Sequence, residues 1–439
     1  MTKWFAALAL TLLAALPARA EIEIEEVTSP GGITAWLVED HNIPFTALEI
    51  RFRGGTSLDA PGKRGAVHLM TALLEDGAAD MDAQRFAARV ESLAADFDYG
   101  AYDDSVAVSA RFLTENRDAA LALLRASLIE PRFDQDAIDR VRARVLSSIR
   151  SDAKEPHAIA ARAFDATAFG EHPYGTSPDG TVDSVQALTR DDLLDAHAAT
   201  LARDRVYVAA AGDITAEQLG TLLDNLLGDL PEAGAAMPER AEVSLDGGIE
   251  VVEFDTPQSV AYFGHEGLPR DHPDFFAAFV VNQVFGGGGL QSRLMEEVRE
   301  KRGLTYGIYS YLMPKDSAAL FMGQVASAND RMAETVEVIR AEWQRISSEG
   351  VSAEELEQAR TYLTGAYPLR FDGNGPIANI LVGMQMDGLP RSYVTDRNEM
   401  LDALTLEEVN RVAAELMRPE ALTFVIAGRP EGLESAPGQ

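Results

Sequence analysis

The sequence predicts an α+β protein of two homologous domains, each a mainly antiparallel β-sheet with helices packed on one face. Three observations carry this expectation. Within each half, strands and helices come in blocks and do not alternate strictly. Two stretches recur at nearly constant offset, and a segment without periodicity separates the halves.

From the N-terminal side, Thr34 to Val38 and Thr46 to Phe52 alternate apolar and polar residues as strands do, and Ser105 to Phe112 alternates again. Asp118 to Ile129, Gln135 to Ala153 and Thr189 to Ala202 instead repeat with the period of a helix. The run beginning Phe133-Asp-Gln-Asp-Ala-Ile is echoed by Val351-Ser-Ala-Glu-Glu-Leu, 218 residues on (133 to 351). Leu188-Thr189-Arg190-Asp191-Asp192 is echoed by Leu404-Thr405-Leu406-Glu407-Glu408, 216 residues on (189 to 405). Each threonine is a natural N-cap, with acids in the first turn where the helix dipole favours them. Each helix leads to an apolar strand ending at glycine, Val206 to Gly212 and Leu422 to Gly428. A repeat this long means duplicated domains and not a solenoid. Pro231 to Pro238 lacks periodicity, so the first domain is placed at residues 21–232, a linker at 233–238 and the second domain at 239–439.

Residues 1–20 read as a secretory leader: Lys3, the apolar run Trp4 to Leu16, then Ala18-Arg19-Ala20, with cleavage expected after Ala20. That run is short of the roughly 20 apolar residues a membrane-spanning helix needs. A periplasmic or secreted protein without a membrane span is the expectation. The chain has no cysteine, which excludes thiolate chemistry and thiolate metal sites. A formal charge of −32 disfavours nucleic acid as a partner; it could attract cationic peptides or serve solubility alone. Gly286 to Gly289 is not followed by Lys-Ser/Thr, so no P-loop is present.

Candidate chemistry starts at His68, in the run Gly65-Ala66-Val67-His68-Leu69-Met70-Thr71-Ala72. An H-x-x-E-H helix sets two imidazoles four residues apart on one face, with the general-base carboxylate beside them. Here Thr71 stands at the carboxylate position and Ala72 at the second imidazole. No two of the seven histidines are three to five residues apart, so no local two-histidine zinc cradle exists. A lone helix histidine is ordinarily a core or interface residue. His265-Glu266 is followed by Gly-Leu-Pro and reads as the end of the Val260 to Phe263 strand. No G-x-S-x-G elbow occurs.

The more distinctive stretch runs from Phe285 to Gly307, with four glycines, a charged helix expected from Ser292 to Arg302, Gly303 as a left-handed cap, and a strand from Leu304. Arg299 then lies in the last helical turn and Tyr306 on the emerging strand. A guanidinium can hold a peptide carbonyl, and a phenol can donate to a developing oxyanion. The same residue types also serve as a surface arginine and a packed strand tyrosine.

With the duplication, the spacing Gly-Gly-x-x-x-Ser-Arg-Leu-x-x-x-x-Arg-x-x-x-Gly-Leu-x-Tyr from Gly287 to Tyr306 resembles the pitrilysin (M16) family of metallopeptidases over nearly the whole mature chain. That group includes insulinase and the mitochondrial processing peptidase, and the likeness is greatest to its short exported bacterial members. The resemblance implies an M16/LuxS-like fold enclosing a chamber between similar halves. It also implies an H-x-x-E-H helix whose positions fall here on His68, Thr71 and Ala72, with a distal metal ligand near Ser148. Three of those four positions hold residues that bind no zinc. The family's substrate-contacting arginine and tyrosine fall on Arg299 and Tyr306, both intact. Some family members are split enzymes, in which a chain without the zinc motif donates this pair to a zinc-bearing partner. The resemblance therefore implies a substrate-binding subunit with no metal of its own, a zinc-bearing M16 paralogue as heterodimer partner holding Zn²⁺, and a peptide substrate. It leaves open a scaffold role like that of respiratory-complex core subunits of this family.

Overall fold

The computed structural model describes residues 22–437. The expected leader and its cleavage point after Ala20 lie outside them. The first half begins with strands β1 (Glu25–Thr28), β2 (Thr34–Glu39) and β3 (Phe45–Arg53), and a separate two-stranded ribbon follows, β4 (Gly77–Ala78) with β5 (Met81–Asp82). Then come β6 (Asp96–Ala101), β7 (Ser105–Leu113) and, after a block of helices, β8 (Val206–Gly212). The sheet order is β1-β2-β8-β3-β7-β6, antiparallel throughout except for β2 beside β8.

The second half repeats the plan with β9 (Gly248–Glu253), β10 (Gln258–Glu266), β11 (Ile308–Pro314), β12 (Ala319–Ala328), β13 (Thr423–Gly428) and β14 (Ala436–Pro437). Its order is β11-β12-β10-β13-β9-β14, and again one pair, β9 with β13, is parallel. Gly212 and Gly428 end the equivalent strands β8 and β13. The two threonines singled out by the recurrence cap equivalent helices: Thr189 accepts from Asp192 N–H and Thr405 from Glu408 N–H, each in a reciprocal capping box. No helix or strand falls between Leu227 and Gly248.

Each sheet carries its own half's helices on one face. In the first half, Leu48, Ile50 and Phe52 of β3 meet Leu69 and Met70 of the helix Ala66–Thr71 and Val141 and Val145 of the helix Gln135–Asp152. In the second half, Phe263 and Phe424 pack with Trp343 of the helix Met332–Glu349, Phe263 lying tilted against Phe424 at 5.5 Å between ring centroids and meeting Trp343 edge-on at 6.0 Å. Full burial of such side chains contributes about 1.5–3 kcal/mol each.

The one-face expectation is incomplete, because each half also lends a helix to the other half's sheet. The helix Asn374–Met386 lays Ala378, Leu381, Val382 and Met384 on Trp36, Val38, Ala47, Ala209 and Ala211 of the first sheet. Three alanines on that face let the helix backbone approach, and Gln385 Nε2 donates to Val208 O at 2.8 Å. In return, the helix Pro156–Phe169 sets Phe164 and Ala168 against Leu320, Met322 and Val425 of the second sheet. This exchange explains why β3 is buried along most of its length on both faces. A polar seam lies beside it: Lys315 pairs with Asp103, Tyr174 with Asp104, and Arg53 with Asp316 at 3.1 Å.

Candidate functional site

The helix bearing His68 is held at its start. Gly65 turns the chain at φ 93°, and the Asp59 carboxylate accepts from the N–H groups of Gly65 and Val67, both at 2.8 Å. His68 is half-buried, with Nδ1 3.2 Å from Asp179 Oδ1. Thr71 is 1% exposed, and its hydroxyl has no hydrogen-bond partner among the described residues. Ala72 ends the turn, donating its N–H to His68 O at 3.0 Å. Ser148 is exposed, off the buried stripe of the helix Gln135–Asp152. These residues do not fit a zinc ion: one imidazole stands with a methyl side chain, a buried hydroxyl and a solvent-facing serine. Among the described residues, no group of three or more histidines and carboxylates stands together as a metal site.

The glycine-rich stretch is built for close packing. A side chain on Gly286 would meet Ser310 N at 2.7 Å, and one on Gly287 would meet Asn282 O at 3.1 Å. The helix that follows starts at Arg293, one residue later than expected, and widens into π-helical turns over Met295–Glu300, where Lys301 N–H reaches back five residues to Glu296 O at 2.9 Å. Gly303 caps it in the left-handed region at φ 62°, as the sequence predicts. The strand does not begin at Leu304. Ser327 Oγ donates to Leu304 O at 2.6 Å and Thr305 Oγ1 to Ala326 O at 2.7 Å, so side chains occupy the places of ladder bonds and β11 starts only at Ile308. Tyr306 therefore sits on a loop, 91% exposed, not on a strand.

Charge pairing separates Arg299 from its neighbours. Arg293 grips Glu355 through two hydrogen bonds of 2.5 and 2.7 Å. Burial pushes the Glu355 carboxyl up, but the Arg293 and Ser352 hydrogen bonds outweigh it and hold the group at about 2. Lys301 and Arg302 both reach Glu297 at 2.7 Å, and the Lys301 bond in particular holds that carboxyl below its ordinary range. Arg299 alone of these four cations has no carboxylate or hydrogen-bond partner for its side chain among the described residues. It lines a concavity of about 840 Å³ together with Tyr306, Tyr309, Gln324 and, from the first half's helix, His157. None of His68, Thr71, Ala72 or Ser148 lines it. The structure thus brings Arg299 and Tyr306 together on one rim, which His68, Thr71, Ala72 and Ser148 do not share. Sequence reasoning did not find His157 or Tyr309, since no local spacing announces a residue supplied across the seam between halves. A fork donor and a phenol on such a rim can hold and polarise a carbonyl.

Comparison with known proteins agrees with the fold. The family model for insulinase (peptidase family M16) matches residues 35–181, and that for the peptidase M16 inactive domain matches residues 187–363. The chain is 26% identical over 388 residues to the non-peptidase homolog YmxG of Helicobacter pylori, covering 88% of this chain and 90% of that protein. It is 25% identical over 406 residues to an uncharacterized zinc protease of Streptomyces coelicolor, covering 90% and 87%. The crystal structure of a peptidase M16 inactive domain from Pseudomonas fluorescens superposes with a TM-score of 0.87 at 29% identity, over 95% of this chain and 100% of that one. A protease structure from Helicobacter pylori superposes at 0.84 with 18% identity, over 93% and 100%, a likeness of fold. The two family models, both of M16, together match residues 35–181 and 187–363, well over half of the chain, and the chain belongs to the M16 peptidase family.

Proposed function

We propose that this chain is the non-catalytic, substrate-binding subunit of a heterodimeric zinc-dependent peptidase of the periplasm or extracellular space, maturing by cleavage after Ala20. Its partner is a zinc-bearing M16 paralogue that supplies the metal-bound water. The observation that carries this reading is that an arginine without an ion-pair partner among the described residues and a tyrosine left 91% exposed line one concavity. A chain of net charge −32 has carboxylates to spare, yet among the described residues none lies within ion-pair distance of Arg299. In this reading Arg299 holds a backbone carbonyl of an extended peptide and Tyr306 donates to the oxygen that gains charge. The name of the Helicobacter pylori relative, non-peptidase homolog, supports the non-catalytic half of the proposal.

The test is co-purification with a zinc-bearing paralogue from the same source, followed by peptide-cleavage kinetics. Losing one oxyanion donor typically costs about 2.7–4 kcal/mol, so Tyr306→Phe is expected to lower kcat of the complex by roughly 10²–10³. Full activity of a complex carrying both Tyr306→Phe and Arg299→Ala would instead indicate a scaffold. Cleavage by the isolated chain, with stoichiometric zinc on metal analysis, would make it an independent protease.

A further inference from the structure

A second cavity, of about 660 Å³, lies where the exchanged helix Asn374–Met386 meets β11, the helix Phe275–Asn282 and the helix Tyr393–Ala403. Its size is that of a small-ligand site. Its walls combine aromatic rings, including Phe276, Phe279, Tyr367 and Tyr393, with four arginines and one acid, Asp387. Two of the arginines are neutralised: Arg51 pairs with Glu49 at 2.9 Å, and Arg270 with Asp387 at 3.2 Å. The other two are not. Arg397 is 6% exposed and donates to Leu363 O and Asn398 Oδ1, with its guanidinium 4.3 Å over the Tyr367 ring and no carboxylate within ion-pair distance among the described residues. Arg370 is exposed and likewise has no partner among them, and its charge acts on both Tyr367 and Arg397.

A buried guanidinium without a counter-anion is costly, and burial accordingly pulls the Arg397 pKa down. Beside it, Tyr367 is 6% exposed, and its hydroxyl is buried with no hydrogen-bond partner among the described residues. Burial pushes that phenol up to about 12, so it remains a donor at neutral pH. Two cations without carboxylate partners and a phenol without an acceptor, among the described residues, line one aromatic chamber.

We infer that this cavity binds a carboxylate attached to a bulky apolar or aromatic body, the carboxylate held by Arg370 and Arg397 with Tyr367 donating, and the body packed among the Phe276, Phe279 and Tyr393 rings. A peptide C-terminus ending in an apolar residue and a free N-acylated amino acid share this chemistry. The site is separate from the Arg299 and Tyr306 rim and shares no lining residue with it, so the two readings fail independently.

The experiment is calorimetric titration of the full mature chain with N-acetyl-phenylalanine, with its amide, and with an acetylated hexapeptide ending in phenylalanine as free acid and as amide. The acids are expected to bind tighter than their amides by roughly tenfold to a hundredfold, the range for losing charge-assisted hydrogen bonds. A peptide acid tighter than N-acetyl-phenylalanine identifies a peptide C-terminus as the occupant; equal or weaker binding identifies the small acylated amino acid. Arg370→Ala, an exposed position that leaves the fold intact, should weaken both acids about tenfold or more, while Arg299→Ala leaves them unchanged. Tyr367→Phe should weaken the acids yet keep or raise the thermal midpoint of the free chain, because the hydroxyl it removes is unsatisfied. Equal binding of acid and amide, absence of binding, or indifference of acid binding to Arg370→Ala and Tyr367→Phe would overturn the inference.

Discussion

Asp165 lies on the helix that the first half lends to the second sheet, with Tyr262, Tyr311, Lys315 and Asp103 in electrostatic reach. Burial pushes its carboxyl up to about 7, against the pull of Lys315 and with a smaller push from Asp103. From the ordinary 3.8, that is about three units, and at roughly 1.36 kcal/mol per unit the charged form costs the folded state at most about 4 kcal/mol. The sign follows from proton counting. Between about pH 4 and pH 7 the folded chain holds this proton while the unfolded chain has released it, so stability falls as pH rises through that window and levels off above it. Asp165→Asn keeps the shape and removes the titration. Urea unfolding of wild type and variant at about pH 4.5 and about pH 8 should give near-equal stability in acid and a variant more stable by about 2–3 kcal/mol in base. Asp316, pushed up to about 6 by burial in the same seam, contributes a slope of the same sign to both proteins and cancels in the difference. A wild-type-to-variant difference that is the same at both pH values would refute the assignment of a raised pKa to Asp165.

Leu381→Ala, at a fully buried position where the exchanged helix meets the first sheet, should cost about 2–5 kcal/mol in chemical unfolding; a cost under about 0.5 kcal/mol would mean that helix contributes little to joining the halves. Thr71→Val replaces a buried hydroxyl that has no partner among the described residues with a methyl of the same shape, so the thermal midpoint should hold or rise. Thr71→Glu alone, by contrast, buries a carboxylate with no metal and should lower the midpoint or unfold the chain. Gly286→Ala forces a Cβ to 2.7 Å from Ser310 N and should destabilise by about 1–3 kcal/mol in fluorescence-monitored urea melts; an unchanged midpoint would mean that β11 yields without cost.

Much of the fold was legible because it is written in local periodicity. β2, β3 and β7 are short apolar-rich runs and the helices Arg117–Ile129 and Gln135–Asp152 show one apolar stripe, so their expected bounds fall within a residue or two of those observed, although burial on both faces replaces the alternation expected of the strands. The paired capping threonines work for the same reason, since a cap is a contact within three residues. The helices Pro156–Phe169 and Asn374–Met386 escaped, as neither pattern says which sheet it covers; the bond from Gln385 to Val208 spans 177 residues. At the candidate site, spacing placed Arg299 in the last helical turn and Gly303 at the cap, but it put Tyr306 on a strand. The side chains of Thr305 and Ser327 delay that strand, and their partners lie more than twenty residues away or across a turn.

By itself the sequence determined the duplication and the residue types at Thr71, Ala72 and Ser148, none of which is a usual zinc ligand. What an alanine or a threonine cannot ligate is a property of the residue, whatever its surroundings. Only the tertiary structure decided which arginines are neutralised. Arg293 and Arg299 are six residues apart and chemically identical, yet one is clasped by Glu355 and the other is left facing a concavity. Charge pairing is a matter of distance in space, and the carboxylate that settles it stands 62 residues along the chain.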